Sequence, residues 1–388
     1  MRLTDICDFQ GGSQPPKDEW LFEKQEGYIR MLQIRDFTQS EKVVPEYVKI
    51  SKSTKICQAD DILIARYGAS IGKILTGLSG AYNVAIMRAI PDTHMLQKKY
   101  LYYYLKSPYF QTAILNVGSR AAQTGFNKED LSKLEIKCPL LSEQDSIIDI
   151  LQKVESIIGK RKKELIFLDE LVKARFVELF GDPVKNDKGW RTLPLEDSCK
   201  SIVDCPHSTP AYTTEYTGYM CIRTSIIKKN KIMWDEVEYI SEEEFVKRIQ
   251  RKKPEVGDVV YTREGAILGI AAIIDRKYNV ALGQRLMLLS PDTNKCISEF
   301  LCVAMNCDSF LNNALKGVAG SASPHINVGD IKMFRMIMPP IELQNQVADF
   351  VKRIDKSKVN YYYKNRKGGF PPLLLIYSVT TIINLSDY

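Results

Sequence analysis

The sequence predicts an α+β protein that consists of two copies of one mixed domain separated by long helices. Segments of the chain resemble one another at an offset of roughly 200 residues, which indicates that one structural unit occurs twice. Each copy combines many short β runs with one or two helices, as α+β domains do. A different apolar pattern, with helical spacing, lies between the copies. With 388 residues and 45% hydrophobic content, the chain can bury two cores.

The repeat is clearest where a predicted strand leads through an Arg-x-Gly turn into a second strand. Residues 61–72 match residues 258–269 in this arrangement, and residues 82–85 match residues 278–281 because both read Tyr-Asn-Val-Ala. The β runs expected in the first copy are residues 28–34, 61–65, 71–76 and 84–90.

Both copies then continue into residues with helical spacing, at 101–105 and 301–305. Each copy is expected to close on a β run that ends in proline, at residues 134–139 and 334–340.

One long helix is predicted after the first copy, beginning at Ser142 and ending at the Gly-Asp-Pro of residues 181–183. Its apolar side chains recur at nearly the spacing of a coiled coil, and the expected packing stripe is Leu151, Val154, Ile158, Leu165, Leu168, Val172 and Phe176.

A second helix begins in the same way after the second copy, with Val351 and Ile354 on its stripe, but the pattern stops after Lys358. Glycines, prolines and a Thr/Ile run follow, which do not suit a helix. A frameshifted or recombined 3′ end would produce such a break, and a real but unusual tail is the alternative. If the second helix is cut short, we expect the first stripe to be exposed from Leu165 to Phe176.

Composition excludes several classes of protein. The net charge of +7 and pI near 8.7 suit a surface that meets phosphates over part of its area. Nine cysteines without a C-x-x-C pair and only three histidines predict reduced thiols, no metal site and a cytoplasmic location. His207, beside Cys205, is interpreted as a plain surface residue. No signal peptide is recognised, and the apolar run 373–383 is too short for a membrane span.

The tract 136–144, which reads Ile-Lys-Cys-Pro-Leu-Leu-Ser-Glu-Gln, its partner tract 336–344 and the two Arg-x-Gly-x-x-x-Gly segments resemble the specificity subunit of type I restriction-modification systems. The resemblance covers residues 1 to about 358. It implies that each mixed domain is a target recognition domain that reads one half of an interrupted double-stranded DNA site. It also implies that the two helices pack as an antiparallel coiled coil and dock two adenine methyltransferase subunits, through which motor-nuclease subunits join.

The resemblance therefore predicts a recognition subunit without catalytic residues or cofactors. The expected organisation is a first target recognition domain at 1–141, a first spacer helix at 142–181, a second target recognition domain at 182–341, the start of a second spacer helix at 342–359 and a divergent C-terminal tail at 360–388.

Base readout in a major groove uses Arg or Lys toward guanine, Asn or Gln toward adenine, and apolar contacts to thymine methyls. Polar loop residues of the repeat are therefore the candidates for DNA binding. In the first copy they are Arg66, Tyr67, Ser70, Lys73, Ser119, Arg120, Gln123 and Thr124. In the second copy they are Arg263, Glu264, Gln284, Arg285, Ser321, Ser323 and His325.

Arg66 and Arg263 occupy the same place in both copies, which indicates a shared task. A phosphate clamp and a structural salt bridge are both open, and we favour the salt bridge. Arg120, Gln123, Ser321 and His325 instead lie where the copies diverge, as half-sites of different sequence require. For any single one of them, a solvated loop residue remains the simpler interpretation.

Enzymatic alternatives find little support in the sequence. Residues 68–74 resemble a P-loop, yet only three residues separate the glycines and Ile74 replaces the magnesium-binding Ser or Thr. A nuclease-like set of Asp92, Glu135 and Lys137 is not kept in the second copy. No Asn/Asp-Pro-Pro-Tyr/Phe motif for DNA methylation occurs. The alternatives to a specificity subunit are a fused type II restriction or methyltransferase component and a coiled-coil scaffold that does not bind DNA.

Overall fold

The computed structural model describes residues 1–118, 125–316 and 324–366. The chain divides into two compact units, of which the first takes in Met1–Lys160 and the second Arg161–Tyr362. Each unit mixes strands and helices, and the expected α+β fold class with two repeated domains and a long helix between them is confirmed.

The first unit contains eight strands and six α-helices among its described residues, and the sixth α-helix continues into the second unit. The strands are β1 (Cys7–Gly11), β2 (Tyr28–Leu32), β3 (Glu46–Lys49), β4 (Ile56–Cys57), β5 (Ile62–Ala65), β6 (Ile74–Leu75), β7 (Gly80–Tyr82) and β8 (Ile86–Pro91). The helices are α1 (Leu3–Ile6), α2 (Ile34–Thr38), α3 (Lys98–Lys106), α4 (Pro108–Gly118), α5 (Lys128–Ser132) and α6 (Leu141–Phe180).

Two sheets form the framework of the first unit. The antiparallel sheet has the order β1-β8-β5-β6, and the second sheet has the order β3-β2-β7-β4 with β2 and β7 parallel. Helix α3 packs on the first sheet, where Tyr100, Leu101 and Tyr104 are buried together with Ile64 and Met87. This core fixes the end of β5, from which the Arg-x-Gly turn projects.

The second unit repeats this plan. Its strands are β9 (Thr192–Pro194), β10 (Cys199–Asp204), β11 (Met220–Ile222), β12 (Ile227–Lys228), β13 (Lys231–Ile232), β14 (Glu238–Tyr239), β15 (Val259–Thr262), β16 (Ala271–Ile273), β17 (Val280–Leu282), β18 (Leu286–Pro291) and β19 (Arg335–Ile337). Its helices are α7 (Leu195–Ser198), α8 (Glu242–Arg248), α9 (Ser298–Asn306), α10 (Asp308–Ala314), α11 (Val328–Lys332) and α12 (Ile341–Arg366).

The main sheet of the second unit has the order β10-β18-β15-β16, which is the order of the first unit's antiparallel sheet. A smaller sheet, β14-β11-β17, again joins one antiparallel and one parallel neighbour. The pairs β12-β13 and β19-β9 complete the sheet structure among the described residues.

The strand register corrects one match made from the sequence. Leu32 pairs with Tyr82 in the first unit, and Ile222 pairs with Leu282 in the second. Residues 82–85 therefore correspond to residues 282–285, and the identical Tyr-Asn-Val-Ala of residues 278–281 lies four positions too early. The match was wrong because connecting segments of different length separate equivalent strands.

Two predicted β runs are also shorter than expected. The run 71–76 forms a strand only at Ile74–Leu75, because Gly72 belongs to the turn. The run 134–139 forms no strand and contributes only the isolated bridge between Arg2 and Glu135. In the second unit the equivalent segment forms β19, which pairs with the three residues of β9.

A buried glutamine connects each mixed domain to the helix that follows it. Gln144 and Gln344 are both fully buried and lie in the first turn of α6 and α12. The Gln344 side chain accepts a hydrogen bond from the Ile297 amide at 3.0 Å and donates to the carbonyls of Lys295 and Pro339, each at 2.9 Å. Gln144 makes the same three bonds in the first unit. The Gln shared by the two sequence tracts is therefore an anchor of the helix.

Helix α6 contains 40 residues and α12 contains 26. Gly181 ends α6 with a φ of +74°, as the Gly-Asp-Pro sequence predicts. Helix α12 continues to Arg366, whereas the sequence pattern places the start of the tail at residue 360.

The packing stripe of α6 contacts different partners along its length. Leu151 is buried in the core of the first unit together with residues of α3. Val154, Ile158 and Leu165 are half-buried. In the second unit Val172 and Phe176 lie in one core with Val351 and Ile354 of α12, and Leu168 packs at its edge.

The expected exposure of the stripe is wrong for Val172 and Phe176. Val172 is 5% exposed and Phe176 is fully buried. Phe300 of α9 stacks on Phe176 with ring centroids 5.6 Å apart, so the mixed domain of the second unit covers this part of the stripe together with α12. Lys358 pairs with Asp169 at 2.6 Å, while Val347, near the start of α12, shares a core with Phe180. The two helices therefore run antiparallel here.

Tyr261 on β15 offers a test of the second core. Its ring is fully buried and its hydroxyl has no hydrogen-bond partner among the described residues. Burial also raises the pKa of this phenol, which keeps it neutral. We expect Tyr261→Phe to leave the free energy of unfolding unchanged or to raise it by about 1 kcal/mol, because the hydroxyl is desolvated on folding without gaining a hydrogen bond. Urea unfolding measures this, and a loss above that size would show that the hydroxyl has a partner.

No helix in the part of the chain that the structure describes is long and apolar enough to span a membrane.

Candidate nucleic-acid interface

The same turn follows β5 and β15 and places an arginine at the end of each strand. Gly68 and Gly265 have φ values of +71° and +92°, which favour glycine because a Cβ is strained there. The amide of Gly72 donates to the Ala65 carbonyl at 2.9 Å and closes the first turn, as Gly269 does in the second unit. The Arg-x-Gly-x-x-x-Gly pattern is thus a hairpin whose glycines make the turn possible.

In the first unit the structure brings Arg66, Tyr67, Ser70 and Lys73 together on this one hairpin. Arg66 is half-buried and donates to the carbonyls of Phe126 at 3.3 Å and Val84 at 3.4 Å. The Tyr67 ring is partly exposed and lies 4.9 Å from the Arg66 guanidinium. Lys73 is exposed, and Ser70 is half-buried. This surface carries positive charge and an aromatic ring.

In the second unit Arg263 lies inside a cluster of charged residues. Its side chain is 7% exposed and pairs with Asp204 at 2.9 Å and with Glu264 at 2.8 Å. His207 contacts the other oxygen of Asp204 at 2.9 Å and lies 3.4 Å from the guanidinium. The salt bridge favoured from the sequence is therefore present in this unit.

Three further candidates surround this cluster. Gln284 accepts a hydrogen bond from the Thr209 hydroxyl at 2.8 Å, and the exposed Arg285 has a φ of +72°. Such strained positions persist only where the surrounding structure holds them, and they concentrate at functional sites. His325 is exposed and forms a β-bridge with Glu264. The structure thus gathers the second unit's described candidates at one end of its main sheet.

Several sequence candidates lie outside the described residues. They are Ser119, Arg120, Gln123, Thr124, Ser321 and Ser323. Their contribution to DNA binding remains a prediction from the sequence.

Sequence reasoning missed Asp204 and Thr209, and it interpreted His207 as plain surface. Asp204 ends β10, and its place in the cluster follows from the pairing of β10 with β18. Only the spacing of Asp204 and His207, three residues apart, could have suggested the contact. Neighbouring Cys205 belongs to the core instead, where it accepts a hydrogen bond from the Leu286 amide and burial raises its pKa. Cys205 and His207 therefore have different environments.

The comparisons with known proteins agree with this architecture. The chain is similar to the type I restriction enzyme MjaVIII specificity subunit of Methanocaldococcus jannaschii, with 23% identity over 372 residues, 92% of this chain and 85% of that protein. The chain is also similar to a solved chain from a structure of the type I R-M system that addresses complex assembly and conformational transition. The match covers 100% of this chain and 97% of the solved chain, with 15% identity and a TM-score of 0.55. A crystal structure of the S subunit of a type I restriction-modification system from M. genitalium has 15% identity, covers 99% and 93%, and gives a TM-score of 0.47.

The fold is thus that of a chain from a type I R-M system. The model of the type I restriction modification DNA specificity domain matches twice, at residues 1–166 and 187–361, and the chain belongs to this family. The resemblance inferred from the repeated tracts is confirmed. Specificity subunits are the DNA-recognition components of these systems and not their enzymes, in agreement with the predicted recognition subunit.

Proposed function

We propose that this chain reads a bipartite, interrupted DNA site and brings methyltransferase and motor-nuclease subunits to it. The observation that carries the proposal is the repetition of one sheet order with different side chains at its end. The first unit offers Arg66, Tyr67 and Lys73, while the second offers Arg285, Gln284 and His325. Two units with one backbone plan and different polar surfaces suit two half-sites of different sequence.

The length of α6 is consistent with a role as the spacer between two half-sites. Forty residues at about 1.5 Å each make a helix of about 60 Å, longer than the roughly 35 Å of one turn of B-form DNA. We propose recognition domains at residues 1–141 and 182–341 and spacer helices at 142–181 and 342–359. Because DNA is the proposed partner, we propose that the assembly acts in the cytoplasm.

A surface on the helices of the second unit suits subunit docking. Ile166, Phe167 and Leu171 of α6 are 57%, 65% and 48% exposed. Leu171 also lines a groove of about 730 Å³ between α6 and α12, with Phe350 and Arg353 on the other wall. Exposed apolar patches with a charged rim mark interaction sites. We propose that adenine methyltransferase subunits bind along these helices and that motor-nuclease subunits join through them.

Adenine methylation tests the proposal. We expect a host without other adenine methylation to acquire methylated adenine in one interrupted sequence when it expresses this chain with a cognate methyltransferase subunit. Either protein alone should give none. Methylation by the chain alone would favour the fused-enzyme alternative, whereas no methylation by the pair, with both proteins folded and associated, would contradict the proposed function.

A further inference from the structure

The two hairpin arginines occupy the same backbone position but have different electrostatic surroundings. Gly11 of β1 pairs with Met87, and Asp204 of β10 pairs with Met287. The Arg66 amide donates to the Ala85 carbonyl at 2.8 Å, as the Arg263 amide does to Arg285 at 3.1 Å. Gly11 therefore stands in the first unit where Asp204 stands in the second.

Both carboxylates that neutralise Arg263 are replaced in the first unit. Asp204 corresponds to Gly11, and Glu264 corresponds to Tyr67, the residue after each arginine. A Cβ built on Gly11 would lie 3.5 Å from Nη1 of Arg66, so the replaced carboxylate would face this guanidinium. The Tyr67 ring lies 4.9 Å away instead and offers no carboxylate.

This difference changes what each guanidinium can bind. Arg263 is desolvated and paired with two acids, so another anion would have to displace them. Arg66 forms no ion pair among the described residues, and its bonds to two carbonyls leave its charge uncompensated. A guanidinium stays charged and its planar fork matches phosphate oxygens. Exposed Lys73 on the same hairpin adds positive charge.

We propose that Arg66 binds a DNA backbone phosphate, whereas Arg263 is a positioning residue that holds the segment after β10 and does not contact DNA. This inference rests on the proposed function. Arg66 thus sets the position of the first unit on the duplex without reading a base, because phosphate contacts carry no direct sequence information. The shared arginine has one backbone role and two electrostatic roles.

Salt dependence separates the two arginines. The affinity of the assembly with its methyltransferase subunits is measured at several salt concentrations, for a duplex of the methylated sequence and for a scrambled duplex. Arg66→Gln should weaken binding to both and make the slope of log affinity against log salt shallower by roughly 0.9, the release expected for one phosphate contact. Arg263→Gln should leave that slope unchanged in the folded assembly.

Transfer of the carboxylate gives a sharper test. The φ of Gly11 lies outside the left-handed region that favours glycine. The 3.5 Å between an added Cβ and Nη1 of Arg66 is an ordinary van der Waals contact, so the backbone accepts a side chain there. Gly11→Asp should neutralise Arg66 and reproduce the shallower slope of Arg66→Gln. Gly11→Asn has the same shape without the charge and should keep the wild-type slope. Thermal unfolding of each variant confirms that the first unit is folded.

The outcomes are separable. An unchanged slope in folded Arg66→Gln, or equal effects of Gly11→Asp and Gly11→Asn, would overturn this inference while wild-type recognition stands. If Arg263→Gln changed the slope as much as Arg66→Gln does, the two arginines would not have the different roles proposed for them. If the wild-type assembly methylates no interrupted sequence, the proposed function fails and this inference with it.

Discussion

Gln344→Leu is expected to lower the free energy of unfolding by about 3–5 kcal/mol, because three groups of the buried site lose their partner. The Ile297 amide and the carbonyls of Lys295 and Pro339 all bind this side chain, which is fully buried. Leucine fills a similar volume but can neither donate nor accept. Urea unfolding of the full chain, followed by circular dichroism, measures the loss.

Gln346→Leu is the matched control, since Gln346 lies on the same helix and is exposed. We expect this substitution to change stability by less than about 0.5 kcal/mol. Equal effects of the two substitutions would show that the three hydrogen bonds do not stabilise the start of α12.

Gln344→Glu distinguishes the hydrogen bonds from simple packing. One carboxylate oxygen can still accept from the Ile297 amide, but the other would face two carbonyl oxygens. Burial and this repulsion should raise the pKa of the introduced carboxyl above the usual value of about 4.3. The folded state then favours the protonated form, so the variant should be least destabilised below about pH 4 and lose stability as pH rises. A loss independent of pH would contradict this account.

Phe176→Ala is expected to lower the free energy of unfolding by about 3–5 kcal/mol, the usual cost of removing a fully buried aromatic ring. Phe176 has no exposed surface, and its ring centroid lies 4.9 Å from that of Phe180 and 5.6 Å from that of Phe300. The same core includes Val347 and Val351 of α12. The substitution therefore removes a contact shared by α6, α12 and the second unit's domain.

Val177→Ala is the control for this prediction, because Val177 is the next residue and is 50% exposed. Its effect should stay below about 0.5 kcal/mol. We also expect Phe176→Ala to reduce methyltransferase binding, measured by co-purification, more than Val177→Ala does. If Phe176→Ala costs less than about 1 kcal/mol, the ring is not part of the common core.

The candidate site was partly predictable from local sequence. Arg66 and Arg263 could be matched because the hairpin glycines are repeated at the same spacing around them. The partners of these arginines could not, since Asp204 and Gly11 reach them across a sheet from distant strands. From the sequence, a phosphate clamp and a structural salt bridge are both open for the shared arginine. The structure supplies carboxylates at one arginine and none, among the described residues, at the other.

The sequence by itself determined the α+β class, the presence of two similar units and the Gly181 end of the long helix. These features depend on local periodicity, on repeated turns and on the φ that glycine allows. Only the tertiary structure decided the register of the equivalent strands, the burial of Val172 and Phe176, and the anchoring role of Gln144 and Gln344. Each of these depends on which distant segments pack together, because loops of different length shift equivalent strands and a helical stripe does not specify its partner.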